Sequence, residues 1–140
     1  MTLSLADISA ARARIAGIAD RMPLIPSPFL SKRIGREVLL KLESMQATGA
    51  FKLRGATNAI AAVPRDAAGV TCCSTGNHGR AVAYAARQRG MRAVICMSSL
   101  VPLAKVDGIR ALGAEVRIVG RSQDDAQVEA SRLVREEGFC

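Results

Sequence analysis

"GVTCCSTGNHGRAVAYAARQRGMRAVICM", residues 69–97, decides the fold. It opens on a short apolar run, Val70 to Cys73, and closes on another, Ala93 to Met97, with an Ala-rich segment between them. Short apolar runs bounded by turn residues read as buried strands. The stretch 80–90 has the composition of a helix, and Gly90 closes it. Strand, helix, strand in this order is a crossover between parallel neighbours, and such crossovers are right-handed in nearly all cases.

The pattern continues downstream. Pro102 suits the first turn of a helix whose apolar face is Leu103, Val106, Ile109 and Leu112, with Gly113 as its stop. Residues 114–120 read as a strand and 124–138 as a helix, with Asp124 and Asp125 at its positive N-terminal end. The expected fold class is α/β, an open three-layer αβα arrangement with a mostly parallel sheet. Phe139 and Cys140 read as the first residues of one more strand, so the chain is expected to be a fragment whose fold is incomplete.

Upstream the pattern is less regular. Leu5, Ile8, Ala11, Ile15 and Ile18 follow helical spacing, and Ser4 or Thr2 can cap that helix. "RMPLIPSPFL" (21–30) holds Pro23, Pro26 and Pro28 and reads as an extended linker, not a helix. Residues 37–43 read as a strand, 44–49 as a loop, and Leu53 to about Val63 as a helix ended by Pro64.

Composition narrows the function classes. The net charge is +8, but the arginines are spread along the chain, and there are one Tyr, three Phe and no Trp. Single-strand binders pair a basic groove with aromatic platforms, so no nucleic-acid partner is expected. No apolar run reaches the roughly 18 to 20 residues of a membrane span. The four cysteines, Cys72, Cys73, Cys96 and Cys140, include no C-x-x-C, and with a single histidine no metal site is expected. These thiols read as reduced, buried small hydrophobes. Without a signal-peptide core at the N-terminus, the expected location is cytoplasmic.

Two segments could carry chemistry. "STGNHG" (74–79) follows a strand and precedes a helix, at the sheet edge where parallel sheets bind ligands. The N–H groups of Ser74 through Asn77 would face outward there and form an anion site, or the segment is an ordinary turn. His78 is read as bonded locally to backbone, because no triad partners can be identified for it. No G-x-G-x-x-G occurs, and Ala114 stands where a P-loop starting at Gly108 needs lysine. The second segment is "TGAFKLRGA" (48–56). Lys52 and Arg54, two apart at a helix start, cannot serve one face. Lys52 among small and apolar groups is either a partly desolvated nucleophile or a snorkelling surface lysine.

Together, "LKLESMQATGAFKLRGA" and "STGNHGRAVAYAA", with "IRALGAEVRIVG" after them, resemble the fold-type II pyridoxal phosphate enzymes of the serine/threonine dehydratase branch. Within it, "STGNHGRAVAYAARQRGMRAVICMS" and "GAEVRIVGRSQDDAQ" are most similar to the hydroxyectoine utilization dehydratases. The resemblance implies a tryptophan synthase β-like fold. Residues 1–65 would form an N-terminal arm and part of the large domain, and 66–140 the small domain short of its last strand. It implies pyridoxal 5'-phosphate as cofactor, with Lys52 carrying it as a Schiff base and then removing the substrate Cα proton. Phe51 would pack near the cofactor ring, Phe51 and Leu53 would form the dry wall of its pocket, and Asn77 would bond its phenolic oxygen. Ser74, Thr75, Gly76, Asn77 and His78 would hold the substrate carboxylate.

The implied reaction eliminates water from a β-hydroxy amino acid, of the threonine or serine type or derived from hydroxyectoine, to a keto acid and ammonia. Thr75 and Arg80 depart from the Ser and Gln that many threonine dehydratases carry there. The family's phosphate loop and pyridine-nitrogen partner are absent from these 140 residues. The chain alone is therefore expected to turn over little or nothing, and the full-length form to be a homo-oligomer. A β-replacement enzyme would carry an acidic residue where Leu53 stands. A non-catalytic basic module would show steep salt dependence of binding.

Overall fold

A computed structural model describes residues 2–140. The elements, in order, are α1 (Leu5–Arg14), β1 (Leu24–Pro26), α2 (Pro28–Ile34), β2 (Leu39–Lys41), a 3-10 turn (Glu43–Met45), α3 (Lys52–Ala61), β3 (Val70–Cys73), α4 (Asn77–Gln88), β4 (Ala93–Met97), α5 (Leu103–Arg110), β5 (Glu115–Ile118) and α6 (Gln123–Glu137).

Strands β3, β4 and β5 form a parallel sheet in that order. Side chains alternate across β4 and feed two cores. Ile95 and Met97 join Ala81, Val82, Ala85, Val106 and Ile109 of α4 and α5, with Ala56 and Ile60 of α3 in the same cluster. Val94 and Cys96 join Ala126, Ala130 and Leu133 of α6 on the other face. All five residues of β4 are buried, as a central parallel strand covered on both faces requires. This is the expected three-layer αβα arrangement. Phe139 pairs in parallel with Gly69 at the outer edge of β3, and Cys140 exchanges hydrogen bonds with Gly69 and Thr71.

The proline-rich segment is not a linker. Residues 24–26 pair antiparallel with 39–41, and α2 begins at Pro28. The Pro23 carbonyl and the Ser27 N–H face the partner strand, so the missing N–H of Pro26 falls at the intervening, outward position. Ser27 caps α2, Pro28 supplies its first turn, and Gly35 closes it in the left-handed conformation at φ 74°. Helix α1 starts on a Ser4–Asp7 capping box, and the Ser4 bonds hold the Asp7 carboxyl below its usual range. Its expected apolar face is not covered: Leu5 and Ile8 are exposed, and burial starts only at Ile15 and Ala19, beyond α1.

Arg54 ties the N-terminal segment to α3. Its Nε and Nη2 reach the two oxygens of Glu43 at 2.9 and 2.8 Å, and Nη2 also donates to the Asp20 carbonyl. Gln46 bonds both Glu43 and Asp20, closing the network. Hydrogen bonding from Arg54 holds the Glu43 carboxyl below its usual range. No helix among the described residues is long and apolar enough to cross a membrane.

Candidate functional site

Lys52 is the first residue of α3, and its burial partner is its neighbour: Leu53 is fully buried against Ile15, Ala19 and half-buried Tyr84. Leu53 therefore anchors the turn rather than forming a dry wall around the lysine, which corrects the expectation from sequence. Lys52 itself is exposed, not desolvated, and so is Phe51. The lysine Nζ sits 5.6 Å from the centre of the Phe51 ring, within cation–π range. No carboxylate among the described residues pairs with it. Arg54, two residues on, is committed to Glu43, so the two cations serve different partners as their spacing predicts.

The other half of the site is the turn into α4. The helix begins at Asn77, three residues earlier than the sequence suggests, with Gly76 as its cap residue. The Ser74 hydroxyl accepts hydrogen bonds from the Gly79 N–H at 3.0 Å and the Gly76 N–H at 3.4 Å. The Ser74 N–H donates to the Cys96 carbonyl. The expectation that all four N–H groups from Ser74 to Asn77 face outward is thus corrected: Ser74 and Gly76 are occupied internally. The N–H groups of Asn77 and His78 lie in the first turn, where no helical carbonyl can receive them.

Gly79 makes this turn possible. A Cβ there would lie 2.9 Å from the Ser74 carbonyl oxygen and 3.2 Å from the side chains of Ile95 and Ile109.

The two halves meet. Lys52, Phe51, Arg54, Gly55, Ala56 and His78 line one cleft of about 270 Å³. Among the described residues the His78 side chain makes no hydrogen bond to local backbone, against the reading from sequence, and it stands at the rim of the cleft. Partial desolvation first, and the Lys52 ammonium second, lower its pKa and favour the neutral ring. Gly55 and Ala56 were not singled out from sequence, although their offsets of three and four from Lys52 put them on its face of the helix. Thr75, Gly76 and Asn77 instead line a neighbouring depression of about 420 Å³ with Arg80 and Lys105. The structure thus joins Lys52, Phe51 and His78 and leaves Thr75 through Asn77 on the adjoining surface.

The cysteines take no part. Burial pushes the Cys72 thiol up to about 12, and burial raises Cys73 and Cys96 as well. Cys140, expected to be buried, is exposed.

Comparison with known proteins converges on one family. Residues 15–140 match the pyridoxal-phosphate dependent enzymes. A Sinorhizobium fredii protein provisionally named threonine dehydratase is 61% identical over 139 residues, which cover 98% of this chain and 42% of that protein. The L-threonine ammonia-lyase of Thermotoga maritima is 38% identical over 138 residues, covering 97% of this chain and 34% of that one. Among solved structures, maize serine racemase superposes with a TM-score of 0.91 at 33% identity, over 99% of this chain and 43% of that one. The chain spans about two-fifths or less of the length of these relatives.

Proposed function

This chain belongs to the pyridoxal-phosphate dependent enzymes, and from that premise we propose that it is the lysine-bearing part of a dehydratase acting on a β-hydroxy amino acid. The products are a keto acid and ammonia. The observation that carries this reading is the meeting of Lys52 and His78 on one cleft beside the first turn of α4. The threonine dehydratase and ammonia-lyase names of two relatives support the reaction class. On this reading residues 1–65 serve the arm and the large domain, and 66–140 the small domain.

The donor set suits the cofactor. Lys52 offers a primary amine with no carboxylate partner, Phe51 a flat apolar neighbour, and Asn77 both a donor and an acceptor. These three would hold pyridoxal phosphate, which when bound supplies the electron sink that lets a Cα proton leave. The Lys52 amine, on a turn fixed by buried Leu53, takes that proton. The substrate carboxylate is held by Thr75, Asn77 and His78, with the hydroxyl hydrogen of Ser74. The Gly76 N–H stays on the Ser74 hydroxyl, and Gly76 contributes close approach of the backbone. The N–H groups of Asn77 and His78, at the positive end of α4, carry most of that attraction. A neutral His78 can donate one hydrogen bond there without placing a second cation beside the lysine. Arg80, beside Thr75 and Asn77, adds a positive charge that suits a substrate with a polar or anionic group beyond those of threonine, such as a hydroxylated amino acid from hydroxyectoine breakdown.

The test is incubation with pyridoxal phosphate and L-serine, L-threonine or such a hydroxylated amino acid, assaying keto acid, ammonia and the D-enantiomer. Equal amounts of keto acid and ammonia are expected, at a rate slightly above that of free cofactor and falling to the free-cofactor rate in Lys52→Ala. The rate is expected to be low, since Lys52 and Phe51 stand open to water. The D-amino acid without keto acid would point instead to the chemistry of the racemase that shares this fold.

A further inference from the structure

The opposite end of the α3–α4 pair carries a second group of cations. A cleft of about 270 Å³ is lined there by Arg14, Thr57, Arg65, Gln88 and Arg89, with aliphatic side chains such as Ile60 between them. Thr57 lies five residues beyond Lys52, so the cleft is roughly 8 to 14 Å along α3 from the site described above.

Two features set this cleft apart. First, its positive charge is not cancelled. Several arginines outside the cleft meet carboxylates: Arg54 with Glu43, Arg92 with Glu115, and Arg117 and Arg132 with Glu129. Here no lining residue is acidic, and no carboxylate among the described residues pairs with any of the three arginines. Arg14 is instead fixed by the neutral Asn58 side chain, its Nε donating to Oδ1 at 2.8 Å, and Arg89 by the Ile60 carbonyl. Each bond uses one donor of a five-donor fork and leaves the charge whole. The C-terminal ends of α3 and α4 account for a cation at Arg89 but not for three.

Second, Thr57 is 2% exposed and its Oγ1 has no hydrogen-bond partner, not even the carbonyl one turn back that mid-helix threonines commonly use. An unpaired buried hydroxyl is costly unless a ligand completes it.

We propose that this cleft binds a small oxyanion, the phosphate or carboxylate group of a metabolite, held by Arg14, Arg65 and Arg89 with Thr57 beneath. Guanidinium forks match the paired oxygens of both groups. The aliphatic wall between the cations fits a short carbon body.

Sodium phosphate and sodium succinate are each titrated into the full chain against sodium chloride at constant ionic strength, following the thermal unfolding midpoint. A saturable rise is expected with at least one of the two anions, and the tighter one names the head group. In Arg14→Gln/Arg65→Gln the apparent affinity should fall at least about tenfold, each lost arginine removing a charge-assisted bond. Arg33→Gln, exposed on α2, and Lys52→Ala should respond like wild type. Thr57→Val provides a variant that keeps the fold, because it removes only an unpaired hydroxyl; its response should weaken as well. No saturable rise with either anion, or an equal rise in the double variant and in Thr57→Val, overturns the proposal. Loss of the rise in Lys52→Ala would assign it to the lysine cleft and overturn it too.

Discussion

Gly79→Val is expected to destabilise the chain by about 2–3 kcal/mol and to displace the 74–78 turn. The absent side chain leaves the space in which the Ser74 carbonyl, Ile95 and Ile109 meet α4, with 2.9 Å to the carbonyl oxygen of a would-be Cβ. Backbone cannot give as a flexible side-chain end can, so either α4 tilts or the turn opens. Opening the turn breaks the 3.0 Å bond from Gly79 to the Ser74 hydroxyl and with it the geometry of the candidate carboxylate site. Gly79→Ala should cost less, since alanine returns up to about 1 kcal/mol of helix propensity. Urea unfolding of the three proteins measures the series. A valine variant as stable as wild type would show that the turn has slack.

Leu53→Ala carries a comparable expectation, a loss of about 2–5 kcal/mol. The side chain is fully buried between Ile15 and Ala19 of the N-terminal segment and Tyr84 of α4. Truncation leaves a cavity where Ile15 and Ala19, α3 and α4 share a core. Domains of this kind have total stabilities of about 5–15 kcal/mol, so the variant should unfold at visibly lower denaturant. Replacing its exposed neighbour, Lys52→Ala, should change stability by less than about 0.5 kcal/mol. If both variants unfold alike, the division into an anchoring leucine and an available lysine is wrong.

The α/β half of the fold was legible because its signals are local. Strands β3 and β4 are short apolar runs, the helices carry repeating apolar positions, and a glycine or proline marks most boundaries. The proline-rich segment misleads because three prolines within six residues read together as breakers. Pro26 sits where an edge strand needs no donor, and Pro28 at a helix position that needs none either. The start of α4 was placed late because the capping hydroxyl of Ser74 reaches over the turn to Gly79, a bond that leaves no pattern in composition.

For the site, the lysine and the asparagine turn could be singled out, but not how they share surface. Leu53 looked like a pocket wall because it flanks Lys52, whereas adjacent helical residues point about 100° apart. The meeting of Lys52 with His78 depends on α3 packing along α4, a contact between residues far apart in sequence. Arg54 and Glu43 likewise pair only because the chain folds back on itself.

The central claim is that Lys52 is the amine that carries pyridoxal phosphate. The direct measurement is borohydride reduction of the chain with pyridoxal phosphate, followed by mass mapping of the labelled peptide. A single dominant label on Lys52, lost in Lys52→Ala while the other lysines stay unmodified, is predicted. Label spread evenly over Lys32, Lys41, Lys52 and Lys105, or concentrated on any lysine other than Lys52, would contradict it.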